Sequence, residues 1–104
     1  DGLAHALWRA LDCGLSGYQH WTDAGTASWY DFAVAIAEDA TALGLLAQQP
    51  RVLPIRTEDY PTPAHRPSYS VLDKTATWAA LELTPPHWRV ALRRVLKTIK
   101  EQAA

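Results

Sequence analysis

The sequence predicts a small mixed α/β domain that is rich in helix and has two or three short strands. Four segments space their apolar residues at the helical period, and short apolar runs lie between turn residues. The 104 residues are 48% hydrophobic and 20% charged, the balance of an ordinary globular domain. We therefore expect residues 1–104 to form one domain. A chain this short buries only about 60–65% of the surface exposed on unfolding, so it depends strongly on any partner surface.

The first two helices are predicted from apolar spacing and end signals. Residues 3–13 place Leu at every fourth position, and Gly14 ends the segment. Ser28 followed by Asp31 has the spacing of a capping box, in which each side chain bonds the backbone N–H of the other residue. Gly44 is a suitable residue to end that helix, since it adopts positive φ without a Cβ clash.

Two further helices are predicted near the C-terminus. Asp73 caps a segment that runs to about Leu81, while Thr84 and Pro85 suit the N-cap and first positions of the last helix. The expected buried stripe of that helix is Trp88, Leu92, Val95, Leu96 and Ile99. The expected solvated face is Arg89, Arg93, Lys97 and Lys100.

Short strands are expected at residues 18–21, 52–55 and 68–72. Pro54 confines the second strand to an edge or a bulge, because proline donates no ladder hydrogen bond. Residues 60–67 contain three prolines and predict a stiff, exposed connector.

Composition and charge argue against several functions. The net charge of −1 favours neither nucleic acid nor an anionic membrane, and no apolar run approaches the ~20 residues of a transmembrane helix. The single Cys13 excludes an internal disulfide, and we expect a buried, inert thiol. No basic region precedes an apolar stretch at the N-terminus, so a cytoplasmic location is the expectation.

The chain lacks the motifs of several catalytic sites. Its five glycines form no glycine-rich turn for a dinucleotide, and no Tyr is followed four residues later by Lys. The four histidines show no i, i+4 pair for zinc, and no G-x-S-x-G nucleophile elbow is present. We predict no catalytic residue and no metal ligand in this chain.

The Pro-rich connector carries the chemistry that remains. Arg66 on a stiff backbone can bind an anion by donating two parallel hydrogen bonds, and Tyr60 lies on the same segment. The alternative is a surface turn with a solvated Arg, and the residues alone leave both interpretations open.

Residues 58–73 read EDYPTPAHRPSYSVLD, which resembles the YPTPAxRPxxSxLD signature of dTDP-4-dehydrorhamnose reductases. These enzymes are extended short-chain dehydrogenase/reductases. The GYQH segment at 17–20 resembles the family's G-x-Y-H strand, and SWYDFA at 28–33 is similar to its following helix. The opening LAHALW at 3–8 and the closing LTPPHW and ALRRVL blocks also match in order.

The resemblance implies a fragment of a larger enzyme whose N-terminal Rossmann domain is missing here. The intact family enzyme reduces dTDP-6-deoxy-L-lyxo-4-hexulose to dTDP-L-rhamnose with NADPH or NADH, and its catalytic Thr/Ser, Tyr and Lys belong to the N-terminal part. We therefore expect no cofactor on this fragment. Carried over to this chain, Arg66 contacts the dTDP-sugar, while Tyr60 and Pro67 shape the edge of the pocket. A homodimer is compatible, although Thr98 stands where some members have an acidic magnesium ligand.

Two other functions stay open at this point. Related proteins keep the same scaffold as non-catalytic binding or regulatory modules, and an independent interaction domain is also conceivable. A glycine-rich turn and a Tyr-x-x-x-Lys upstream would indicate the enzyme. Five Trp residues further predict apolar surface left open where the cofactor domain belongs.

Overall fold

The computed structural model describes residues 1–64, 66–67 and 69–103. Its α-helices are α1 (Gly2–Cys13), α2 (Trp29–Ala42), α3 (Thr75–Leu81) and α4 (Trp88–Ala103), and a short 3₁₀-helix covers Thr57–Asp59. The prediction of a helix-rich domain is confirmed.

The predicted strands are not confirmed. Residues 18–21, 52–55 and the described part of 68–72 have no regular secondary structure. Within the described ranges, the only β-type pairing is an isolated parallel bridge between Ala24 and His87. A strand requires a partner that accepts and donates its backbone hydrogen bonds, and the extended segments find no such ladder here.

The predicted helix ends agree with the structure for α1 and α2. Ser28 Oγ accepts a hydrogen bond from the Asp31 N–H, and the Asp31 carboxylate accepts one from the Ser28 N–H, both at 3.0 Å. This is the predicted capping box. Gly14 and Gly44 follow their helices with positive φ, as expected for residues that end a helix.

Helix α4 begins at Trp88, later than the predicted start at Thr84. The Pro86 carbonyl accepts a hydrogen bond from the Ala24 N–H at 3.0 Å, and the Trp88 N–H donates to the Ala24 carbonyl at 2.9 Å. These two bonds hold the chain extended through His87, so tertiary contact delays the helix beyond its local start signal.

The helices pack as two pairs, α1 with α3 and α2 with α4. Their small core consists of Ala6, Ala35, Ala37, Ala40, Leu81 and Leu96. The chain exposes 8471 Å², whereas a compact protein of this mass exposes about 5,800 Å². The radius of gyration is 16.8 Å, against about 13 Å for a compact chain of this length. The fold is therefore open, with more surface than a self-contained domain.

None of the described helices combines the length and the apolar character required to cross a membrane.

Candidate functional site

The Pro-rich segment follows directly after the 3₁₀-helix, and an ion-pair cluster orders its start. Arg56 forms salt bridges with Glu58 at 3.1 Å and with Asp59 at 3.3 Å. The Arg56 side chain and its backbone N–H both bond the Asp59 carboxylate, which lowers the pKa of that carboxyl. Tyr60 is the next residue after the 3₁₀-helix, so the position of its backbone is set by this turn.

All three predicted site residues lie on the surface. Tyr60 is 69% exposed, and Arg66 and Pro67 are also exposed. Among the residues that the structure describes, none forms a hydrogen bond or ion pair with the Arg66 guanidinium. His65, which lies between Ala64 and Arg66, is outside the described residues. The segment thus presents an Arg and an aromatic ring to solvent.

A charged cluster between α2 and α4 was missed by the sequence analysis. Arg89, predicted on a solvated face, instead bonds Glu38 at 2.8 Å and Asp39 at 3.2 Å. Arg93 also reaches Asp39, at 3.4 Å. The only sequence signal is a pair of acidic residues on an otherwise apolar part of α2.

The cluster shifts the titration of both partners. Hydrogen bonds from Arg89 lower the pKa of the Asp39 carboxyl, and this effect exceeds the opposing effect of burial. The same bonds, with those to Glu38, raise the pKa of Arg89. Asp39 is only 9% exposed, so its ion pairs with Arg89 and Arg93 stabilise the packing of α2 against α4.

Apolar side chains line the outer face of α1. Leu3, Leu7 and Leu11, spaced four apart as predicted, are 58%, 60% and 72% exposed, and Trp8 is 70% exposed. These side chains form an exposed apolar stripe along α1.

The exposure of other residues agrees with some sequence predictions and contradicts others. Trp29 is 87% exposed, while Trp21, Trp78 and Trp88 are partly buried, so exposed Trp surface is limited to Trp8 and Trp29, and its relation to a cofactor domain stays a prediction. On α4, Leu96 is buried, but Val95 and Ile99 are exposed, contrary to the predicted stripe. Cys13 is exposed as well, so the expectation of a buried thiol was wrong.

No group of three His, Cys, Asp or Glu side chains in the described ranges is arranged to hold a metal ion.

Comparison with known proteins assigns the family. Residues 1–101 match the model of the RmlD substrate binding domain. The chain is 43% identical over 79 residues to a dTDP-4-dehydrorhamnose reductase of Aggregatibacter actinomycetemcomitans, covering 76% of this chain and 27% of that protein. It is 38% identical over 109 residues to the reductase of the same name from Burkholderia thailandensis, covering 98% of this chain and 37% of that protein.

A third relative carries a different name. The spore coat polysaccharide biosynthesis protein SpsK of Bacillus subtilis is 41% identical over 81 residues, covering 78% of this chain and 26% of that protein. No solved structure matches the chain significantly.

These comparisons identify a substrate binding domain. The chain belongs to the RmlD substrate binding domain family. It spans about a quarter to just over a third of the length of the curated relatives that it matches.

Proposed function

We propose that this chain is the C-terminal, substrate-side part of an NAD(P)H-dependent dTDP-4-dehydrorhamnose reductase. The reaction of the whole enzyme reduces dTDP-6-deoxy-L-lyxo-4-hexulose to dTDP-L-rhamnose, and this part alone does not catalyse it. The family match over residues 1–101 is the observation that carries the proposal. The names of the two reductases from Aggregatibacter and Burkholderia support the choice of reaction.

In this proposal the chain contributes recognition of the nucleotide-sugar. The Arg66 guanidinium, which is exposed, binds the diphosphate oxygens through parallel charge-assisted hydrogen bonds. Tyr60 and Pro67 form the edge of the pocket beside the ligand. Each proline of the segment fixes its own φ, so little conformational freedom is lost on binding.

A second domain supplies the rest of the site. The residues of this chain do not fit a nicotinamide dinucleotide, because its glycines at 2, 14, 17, 25 and 44 form no glycine-rich turn between a strand and a helix. We place NADPH or NADH, and the catalytic groups, on a Rossmann domain N-terminal to this chain. The large exposed area and the apolar face of α1 support such a partner. The proposed enzyme is cytoplasmic, and a homodimer is the assembly to test by sedimentation.

The recognition role is tested by titrating the chain with dTDP-L-rhamnose while recording backbone NMR spectra. We expect chemical-shift changes that centre on residues 60–70. In Arg66→Ala the dissociation constant should be about tenfold larger, because a charge-assisted pair is lost. Arg51→Ala is the matched control, since Arg51 is also exposed and lies before the 3₁₀-helix. Equal weakening in both variants, or unchanged binding in Arg66→Ala, would contradict a specific role for Arg66.

The partner face on α1 gives a separate prediction. We expect Leu7→Ser together with Leu11→Ser to change the free energy of unfolding of the chain by less than about 1 kcal/mol, since both side chains are exposed and each surface substitution contributes at most about 0.5 kcal/mol. The same double variant should lose association with a separately produced cofactor domain, measured by calorimetry. Val95→Ser, which alters exposed apolar surface on α4, serves as the control. Undiminished association of the α1 double variant would exclude this face as the contact.

A further inference from the structure

The C-terminal part of α2 and the first half of α4 enclose a cleft, the α2–α4 cleft, with a volume of about 340 Å³. Apolar surface forms most of its lining, to which Ala42, Leu43 and Val90 contribute. No described residue of the Pro-rich segment belongs to the lining, so this cleft is distinct from the proposed site at Arg66. A mostly apolar cleft of this volume suits a small organic molecule.

The charged lining of the α2–α4 cleft is strongly one-sided. It consists of three cations on α4, Arg93, Arg94 and Lys97, and one carboxylate on α2, Asp39, which gives a net charge of +2. Asp39 also pairs with Arg89 at 3.2 Å and with Arg93 at 3.4 Å, so it is already shared between two guanidinium groups. Among the residues that the structure describes, Arg94 and Lys97 form no ion pair.

The positions of these cations on α4 make their charge unfavourable in the absence of a counter-ion. Lys97 is four residues from Arg93 and three from Arg94, so the three side chains lie on neighbouring surface of the helix. Like charges at these spacings repel each other and destabilise a helix. An anion in the cleft would offset this repulsion and accept charge-assisted hydrogen bonds from the same groups.

A second cleft of the same volume, between α1 and the end of α3, differs in its charge. Its lining contains Arg9 together with the carboxylates of Asp12 and Glu82, a net charge of −1 with neutral His. Arg9 is also occupied, since it donates to the Leu81 carbonyl at 3.1 Å and pairs with Glu82 at 3.7 Å. The positive excess of the α2–α4 cleft is therefore a specific feature of that site.

We propose that the α2–α4 cleft binds a phosphate monoester carried on a short apolar group. A phosphate monoester has a charge of about −1.5 to −2 at pH 7, which matches the net charge of the cleft better than a carboxylate does. Arg94 and Lys97 bind the phosphate oxygens, and the apolar group lies against Leu43 and Val90. Arg93 pairs with Asp39 on the facing helix and holds the two walls together. The cleft acts without Arg66 or a cofactor domain, so it does not depend on the proposed reductase function.

Binding is tested by titrating the chain with hexyl phosphate, followed by calorimetry and backbone NMR. We expect chemical-shift changes that centre on residues 42–43 and 90–97. In Arg94→Gln together with Lys97→Gln, the dissociation constant should be about tenfold larger, because charge-assisted hydrogen bonds are lost. Both side chains are exposed, so the double variant should keep the fold, which a denaturation curve checks.

Arg51→Gln together with Lys100→Gln is the matched control. It also removes two positive charges from exposed positions, but neither residue lines the cleft. We expect its dissociation constant to stay within about twofold of the wild type, since only long-range attraction changes. Equal weakening in the two double variants, or unchanged binding in Arg94→Gln with Lys97→Gln, would overturn the site.

Two further probes on the wild type separate the two parts of the ligand. Inorganic phosphate should bind about tenfold more weakly than hexyl phosphate, the effect of burying about two methylene groups. Hexanoate should bind about fivefold more weakly, because it carries less negative charge. Equal affinity for inorganic phosphate would overturn the apolar contact, and equal affinity for hexanoate would overturn the choice of a phosphate. If hexyl phosphate does not bind at millimolar concentration, the whole inference is wrong.

Discussion

Asp39→Asn is expected to lower the free energy of unfolding by about 2–3 kcal/mol, the largest effect of any single side-chain change considered for this chain. Asp39 is the most buried carboxylate of the cluster between α2 and α4, and it holds both Arg89 and Arg93. An amide in its place removes the buried negative charge that both guanidinium groups contact, and leaves Arg89 paired with Glu38 alone. Chemical denaturation monitored by tryptophan fluorescence gives the change directly.

Glu38→Gln is the matched control for this prediction. Glu38 pairs with the same Arg89 at 2.8 Å, but 43% of its side chain is exposed. Since water compensates an exposed pair, we expect a loss below about 1 kcal/mol. If the two variants are equally destabilised, burial of Asp39 is not the source of its contribution.

The same carboxylate also predicts a dependence on pH. The pKa of Asp39 is lower in the folded chain than the value of about 3.9 for an unfolded Asp. The folded state therefore binds this proton less readily, and the stabilisation is present above the unfolded pKa and lost as pH falls through the folded pKa. Denaturation curves at pH 7 and near pH 3 give the difference in free energy of unfolding between the wild type and Asp39→Asn. We expect this difference to be smaller near pH 3. The same difference at both pH values would contradict a lowered pKa of Asp39 in the folded chain.

Gly25→Ala is expected to lower the free energy of unfolding by about 2 kcal/mol, through left-handed strain and overpacking. Gly25 has a φ of +85°, and a Cβ there would lie 2.5 Å from the His87 ring and 3.0 Å from Trp88 Cδ1. The neighbouring Ala24 forms the bridge to His87 that links the loop before α2 to the start of α4. The His87 ring must move to make room for a methyl group, so the substitution disturbs the contact between the loop before α2 and the start of α4.

Gly44→Ala separates the two causes. Gly44 has a similar φ of +81°, but a Cβ there would meet no atom within 4 Å. Only the backbone strain remains, so we expect a loss of about 1 kcal/mol. The difference between the variants, measured by thermal or urea denaturation, reports the crowding at His87. Equal losses would mean that the His87 ring moves aside without cost.

The sequence alone was enough to predict several helix ends and to recognise the family. The capping box at Ser28 and Asp31, the leucine spacing of α1 and the glycines after α1 and α2 depend on contacts within a few residues, so the sequence alone predicted them. The blocks that resemble the reductase family lie in the same order along the chain, and the family match over residues 1–101 agrees with them. Tyr60, Arg66 and Pro67 were selected from that resemblance, and their roles stay predictions.

Tertiary structure decided the features that depend on residues far apart in sequence. The expected strands do not form because strand pairing needs a neighbouring ladder, and the described chain provides only the bridge between Ala24 and His87. Arg89 was expected in solvent because a helical wheel does not reveal that Asp39, 50 residues away, faces it. The buried Thr77 hydroxyl likewise meets Gln19 only when the chain folds back on α3. Propensity and caps act over a few residues, whereas burial and charge pairing depend on which segments meet in space.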